Sequence, residues 1–265
     1  MNDERETMNN KSGKLRVDSD ENHANIQHPI EPNPEHKPSV VENPEHKPSS
    51  FSVQPSSFSP MHIGVLGLGI GTVAAYGEPG DRLRFYELNP EVVQMATNAA
   101  HFRYLSSCPG EVEIVLGDAR LSMERELAES GSLNFDILNM DAFNGDAIPV
   151  HLLTVEAFKI YLAHLNPKDG VLAIQITNMY LDLIPVVAGI AKHYNLRGYV
   201  IKGTGDMRLT SDSLWVLLSR DPDYNPKDTP QGAIITPLDT SKNTILWTDD
   251  FSNIITIMKK KLFVK

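Results

Sequence analysis

HIGVLGLGIGT, residues His62 to Thr72, is the stretch from which the reading of this chain follows. Ile63 to Leu66 is a short apolar run, and it breaks into Gly67, Gly69 and Gly71 on alternate positions. A run of that length ending in glycines reads as a buried strand followed by a tight turn. Glycine at the turn lets backbone approach a ligand closely. A second strand, Arg82 to Tyr86, ends in Glu87, 20 residues after Gly67. Strand, glycine turn, helix start and an acid at the tip of the next strand make a nucleotide cradle. The carboxylate can take both hydroxyls of a ribose. The spacing is G-x-G-x-G rather than G-x-G-x-x-G, which favours an adenosyl sulfonium over a dinucleotide.

Outward from this stretch, strands and helices alternate. Thr72 to Tyr76 opens a helix. Asn89-Pro-Glu91 is a second helix entry, with Pro at the first turn and an acid near the positive end. Val112 to Leu116 is a third strand, followed by Gly117-Asp-Ala-Arg120 and a helix over 122–129. Phe135 to Met140 is a fourth strand that ends at Asp141. Thr154 caps an amphipathic helix that runs to Leu165. Val171 to Ile176 is a fifth strand, Ile184 to Tyr194 a further helix, and Tyr199 to Lys202 and Leu214 to Ser219 two last strands, read as antiparallel. A helix around 252–260 closes the domain. The pattern predicts an α/β fold with a doubly wound, mostly parallel seven-stranded sheet. Ligands on such sheets sit at the carboxyl ends of the strands. One mouth is therefore expected, lined by Gly67 to Gly71, Glu87, Asp118 and Asp141.

Residues 1–59 read differently. They are rich in proline, poor in large apolar residues and without periodicity, the composition of a disordered tail. Asn33-Pro-Glu-His-Lys-Pro-Ser39 recurs as Asn43-Pro-Glu-His-Lys-Pro-Ser49, and two such copies favour an extended linker. The folded domain is then 60–265. The single cysteine, Cys108, excludes a disulfide framework and a cysteine cluster for zinc. No apolar run approaches the roughly 20 residues of a membrane helix, and the charged start has no secretory h-region. A soluble, cytoplasmic protein is expected. The net charge of −10 disfavours nucleic acid as a partner and suits a cationic one.

Several residues beyond the glycines and Glu87 are candidates for chemistry. Asp118 can accept from an adenine amino group while Ala119 backbone reads the ring edge, or it can cap the helix that follows. Asp141 ends an apolar strand, so partial desolvation should raise its pKa and suit it as a general base, or it can cap the loop DAFNGD. Asp146 can hold a second amine. His151, a residue type able to change charge near neutral pH, precedes a helix, where it can meet substrate, cap or pack. Asp249 and Asp250 in WTDDF either add negative potential at the mouth or start a helix. There is no nucleophile elbow, no phosphate loop and no paired histidine ligand in the folded part.

With these residues in place the chain resembles the spermidine synthase-like aminopropyltransferases. GLGIGTVAAYGEPGDRLRFYELNPEV, from Gly67 to Val92, looks like their donor-binding half, and GDARL, from Gly117, like their adenine-reading turn. The stretch from Met140 to Leu183 is similar to the form found where such domains are fused to membrane transport segments, and WTDDFSNII resembles the end of that form. The resemblance implies a class I methyltransferase, Rossmann-like fold. It implies decarboxylated S-adenosylmethionine as co-substrate, no permanently bound cofactor, no metal, and a polyamine such as putrescine as acceptor. Glu87 would match the ribose-binding acid, Asp118 the adenine-binding acid and Asp141 the general base. A homodimer is left open. Two other readings stand beside this one. The first is an S-adenosylmethionine-dependent methyltransferase, which Ile70 favours because no acid in the glycine loop would repel the methionine carboxylate. The second is a non-catalytic adenosyl-binding relative.

Overall fold

A computed structural model of the chain describes residues 59–142, 149–205, 212–226 and 232–259. The tail reading for residues 1–58 and the reading of Asp146 fall outside them. The described residues build one eight-stranded sheet flanked by helices. In chain order the strands are β1 His62–Leu66, β2 Arg82–Glu87, β3 Glu111–Leu116, β4 Ile137–Met140, β5 Val171–Gln175, β6 Arg197–Gly203, β7 Ser213–Ser219 and β8 Ile234–Pro237. The helices are α1 Pro90–Ala96, α2 Ala119–Ser130, α3 Val155–His164 and α4 Ile184–His193.

The strand order is β3-β2-β1-β4-β5-β7-β6-β8. The first five strands pair in parallel, and β7 pairs antiparallel with both β5 and β6. The chain steps outward from β1 through β2 to β3, then returns to lay β4 on the other side of β1. The order therefore reverses between β1 and β4, and a crevice opens there at the carboxyl ends. Parallel strands are buried on both faces, which is why β1 reads as a continuous apolar run. Ile63 and Val65 pack with Leu83, Phe85 and α1 on one face; Leu66 packs with Leu138, Met140 and the helices α2, α3 and α4 on the other. That division of helices is what right-handed crossovers produce when the chain first moves one way and then the other.

Three expectations change. The sheet has eight strands rather than seven, because Ile234–Pro237 adds a short antiparallel edge to β6. Four residues ending in proline carry too little alternation to read as a strand, and proline is tolerated at an edge. The helix expected over 72–76 is a five-residue 3-10 turn, stopped by Gly77 and the Glu78-Pro-Gly80 corner. The closing helix over 252–260 is a 3-10 turn at Ile255–Ile257 inside an extended segment. There, Asp182 donates its amide to the Ile257 carbonyl at 2.7 Å and Lys259 to Tyr180 at 2.8 Å. The β-branched run Ile254-Ile-Thr-Ile257 is a poor former of a regular α-helix, and only one 3-10 turn forms there. Among the described residues no helix is long and apolar enough to cross a membrane.

Candidate functional site

The glycine loop after β1 takes positive φ at Gly67 (94°) and Gly69 (53°). A side chain at Gly67 would put its Cβ 2.5 Å from the Asp141 carbonyl oxygen, so the loops after β1 and β4 are in backbone contact. A Cβ at Gly69 would meet nothing within 4 Å, so this position faces open space. Gly71 does other work. It caps the 3-10 turn, and a Cβ there would strike Leu105. The loop is tied to the next strand end by Glu87, whose Oε2 accepts from the Leu68 amide at 3.0 Å. Its Oε1 accepts from the Asn89 amide at 2.8 Å. Two backbone donors thus fix the carboxylate, and a carboxylate still has lone pairs for two more donors. Asn89 in turn caps α1, accepting from Glu91 at 2.9 Å with Pro90 behind it.

Asp118 follows β3 and caps α2, accepting from the Leu121 amide at 3.0 Å. Its other oxygen, Oδ2, pairs with His151 Nε2 at 3.0 Å. Of the two roles weighed for Asp118, the helix cap is observed, and the second oxygen is paired with His151. The helix it caps is anchored under β2. Arg84 pairs with Glu126 at 2.6 Å, and the Tyr86 hydroxyl donates to Glu126 at 2.7 Å. Asp141 is the first residue past β4, and its amide donates to the Leu66 carbonyl at 3.0 Å. Its carboxyl reaches solvent yet stands in the crowded mouth, and desolvation pushes its pKa above the usual carboxylate range.

These residues share one cavity of about 580 Å³, a size that suits a nucleoside-sized ligand. Gly67, Leu68, Gly69, Glu87, Asp118, Ala119, Asp141 and His151 all line it, and Gly71 does not. Val65, Tyr86, Leu88, Val92 and Leu152 supply apolar wall, which the sequence reading left out. Those positions belong to ordinary strand and helix patterns, so nothing in them signals a site before the topology is known. A second depression of about 650 Å³ is lined by Ala74, Ala75 and residues of 99–109. It holds no acid and none of the strand-end residues, so the cavity at the switch point is the better site.

A further pairing was invisible in the sequence. Arg120, next to Asp118 in GDAR, forms a two-pronged ion pair with Asp249, Nη1 to Oδ1 at 2.7 Å and Nη2 to Oδ2 at 2.5 Å. Arg120 first of all holds the Asp249 carboxyl down at a pKa of about 2. Asp249 neither starts a helix nor stands free at the mouth. Among the described residues no group of three or more histidine, cysteine or acidic side chains is placed to hold a metal.

No protein-family model matches the chain. Over 116 residues it is 34% identical to the polyamine aminopropyltransferase of Vibrio vulnificus (strain CMCP6), a match covering 43% of this chain and 36% of that protein. Over that stretch the chain is similar to a polyamine aminopropyltransferase. It spans about a third of the length of that curated relative. A crystal structure of a probable spermidine synthase from Corynebacterium glutamicum superposes with a TM-score of 0.55 at 20% identity, covering 73% of this chain and 74% of that one. At that identity the likeness speaks for the fold, the Rossmann-like α/β architecture described above.

Proposed function

We propose that this chain transfers an aminopropyl group from decarboxylated S-adenosylmethionine to a polyamine such as putrescine, with 60–265 as the catalytic unit. The observation that supports the reading is the meeting of Gly67, Glu87, Asp118 and Asp141 around one cavity at the sheet's switch point. The similarity to a polyamine aminopropyltransferase adds the acceptor class. Glu87 takes the ribose hydroxyls on the lone pairs its two amides leave free. Asp118 and the Ala119 backbone take the adenine. The reaction is an in-line displacement: the amine nitrogen bonds the propyl carbon beside the sulfonium, and the carbon–sulfur bond breaks. Its electron pair stays on sulfur, which leaves neutral methylthioadenosine. Asp141 accepts the proton that the new ammonium must lose. A raised pKa makes it a stronger base than an ordinary aspartate, and holding both reactants in line supplies much of the rate.

One observation favours a second reading. Ile70 stands in the glycine loop, with no acid there to meet the donor's amine or to repel a methionine carboxylate. That suits S-adenosylmethionine and methyl transfer. The test is to incubate the protein with putrescine and either donor and to follow the products by mass spectrometry. Spermidine and methylthioadenosine from the decarboxylated donor support the proposal. A methylated product from S-adenosylmethionine, with no spermidine from the other donor, overturns it.

A further inference from the structure

Arg120 is the hub of a contact set that spans the chain. Besides Asp249, its Nη1 donates to the His151 carbonyl at 2.9 Å and lies 3.4 Å from the Thr154 hydroxyl oxygen. Thr154 donates to Asp249 Oδ1 at 2.7 Å while its hydroxyl oxygen caps α3 by accepting from Ala157. The Asp249 amide donates to Glu156 Oε2 at 3.0 Å, and the Val155 amide donates to the Trp247 carbonyl at 2.9 Å. The segment 247–249 is thereby strapped across the start of α3. Arg120 is largely shielded, with 14% of its side chain exposed, against 42% for Asp249 and 52% for His151. His151 lines the cavity, and its ring is held by Asp118, two residues before Arg120. Both ends of His151 are therefore gripped from the start of α2: the ring by Asp118 and the backbone carbonyl by Arg120.

We infer that Arg120 and Asp249 are a positioning pair. They hold His151, and through it the free face of Asp118, in the wall of the nucleoside cavity, so the C-terminal segment is a working part of a site it does not touch. Neither residue is among those lining the cavity. A lysine at position 120 would bring three donors on one nitrogen but no planar fork to meet both carboxylate oxygens in parallel. The guanidinium fork satisfies the aspartate with two parallel bonds and still reaches the carbonyl, a geometry lysine lacks. The consequence deepens the proposed function and rests on it: the clamp sets selectivity for a 6-amino purine. A carboxylate fixed in place accepts from an amino group and repels a 6-oxo group, whereas a loose one discriminates poorly.

The test uses the full chain and two readouts. The first needs no ligand: the imidazole carbon–proton NMR signal of His151, identified by its absence in His151→Ala. The second is the ratio of affinities for adenosine and inosine. Arg120→Ala and Asp249→Ala should each move the His151 signal to the position of a free imidazole and lower the ratio about tenfold, the worth of roughly 1.4 kcal/mol. His151→Ala should lower it as far, and adding Asp249→Ala to it should change nothing more. Asp249→Asn, which keeps the shape, guards against a variant that fails to fold. Asp249→Glu should restore part of the ratio. A His151 signal unmoved in folded Asp249→Asn, or an unchanged ratio, overturns the inference. If the signal moves but the wild-type protein binds neither nucleoside, the clamp stands and the nucleoside reading fails.

Discussion

Removing the Glu87 carboxylate separates a ribose-binding acid from a structural one. In the structure Glu87 is bonded to two amides, Leu68 at 3.0 Å and Asn89 at 2.8 Å. Glu87→Ala therefore has two costs. The Leu68 amide, on a residue 5% exposed, loses its acceptor, which should destabilise the fold by about 1–2 kcal/mol. The ribose loses a charged acceptor, worth about 1.5–3 kcal/mol, or roughly 10- to 150-fold in affinity. Affinity alone mixes these costs, because a loosened glycine loop also binds less well. Comparing methylthioadenosine with its 2′-deoxy analogue by calorimetry separates them. In the wild-type protein the missing hydroxyl should weaken binding by about 1–2 kcal/mol. In Glu87→Ala the two ligands should bind alike, since their difference has no partner left. If the 2′-deoxy penalty is as large in the variant as in the wild type, Glu87 holds the loop and does not hold the sugar.

The other predictions follow from the same cavity. Asp141→Asn should cut turnover by about 10²- to 10⁴-fold, the contribution of a positioned general base, with methylthioadenosine affinity nearly unchanged; a steady-state rate near wild type would remove Asp141 from the chemistry. The same variant should be slightly more stable than wild type at pH 7, a small effect because the Asp141 carboxyl reaches solvent. Burial raises the carboxyl's pKa, so the folded state binds the proton more tightly, and stability is lost as pH rises from the unfolded value near 3.8 through the folded one. Melting curves at pH 7 and pH 3.5 test the sign, and a gain that persists unchanged at pH 3.5 would contradict it. Asp249 runs the opposite way. Its depressed pKa contributes stability above about 3.8 that disappears as pH falls through about 2, and Asp249→Asn should melt without that extra acid-limb loss. The contribution should be small, because the pair is partly exposed and screened. Gly69→Ala should cost about 1–2 kcal/mol in melting experiments, for positive φ alone, and should weaken nucleoside binding by narrowing the cavity. Gly67→Ala should cost more, since its Cβ also meets the Asp141 backbone; equal costs for the two would refute the contact between the loops.

The strand ends at Gly67 and Asp141 were legible because each closes a buried apolar run, and those at Glu87 and Asp118 because each follows a run of alternating or partly apolar residues at a glycine or acid. Parallel strands covered on both faces leave that signature, and the topology rules then bring their carboxyl ends to one rim. The caps at Asn89, Asp118 and Thr154 were legible for a similar reason, as a local hydrogen bond needs only a few residues of sequence. What could not be read is long-range and polar. Arg120 and Asp249 stand 129 positions apart, and each has an ordinary local explanation, a helix first turn and an acidic loop. Only the folded sheet shows that α2 and the segment after 246 pass side by side. The edge strand β8 and the extended end at 252–259 were missed because they form against partners already in place rather than from their own pattern.

The most direct test of the adenosyl site is a crystal structure of the protein with methylthioadenosine. The account predicts the ribose hydroxyls on the Glu87 carboxylate, the adenine beside Asp118 and His151, and the sulfur end toward Asp141. A nucleoside bound in the depression at 99–109, or one in the switch-point cavity with its ribose turned away from Glu87, would contradict it.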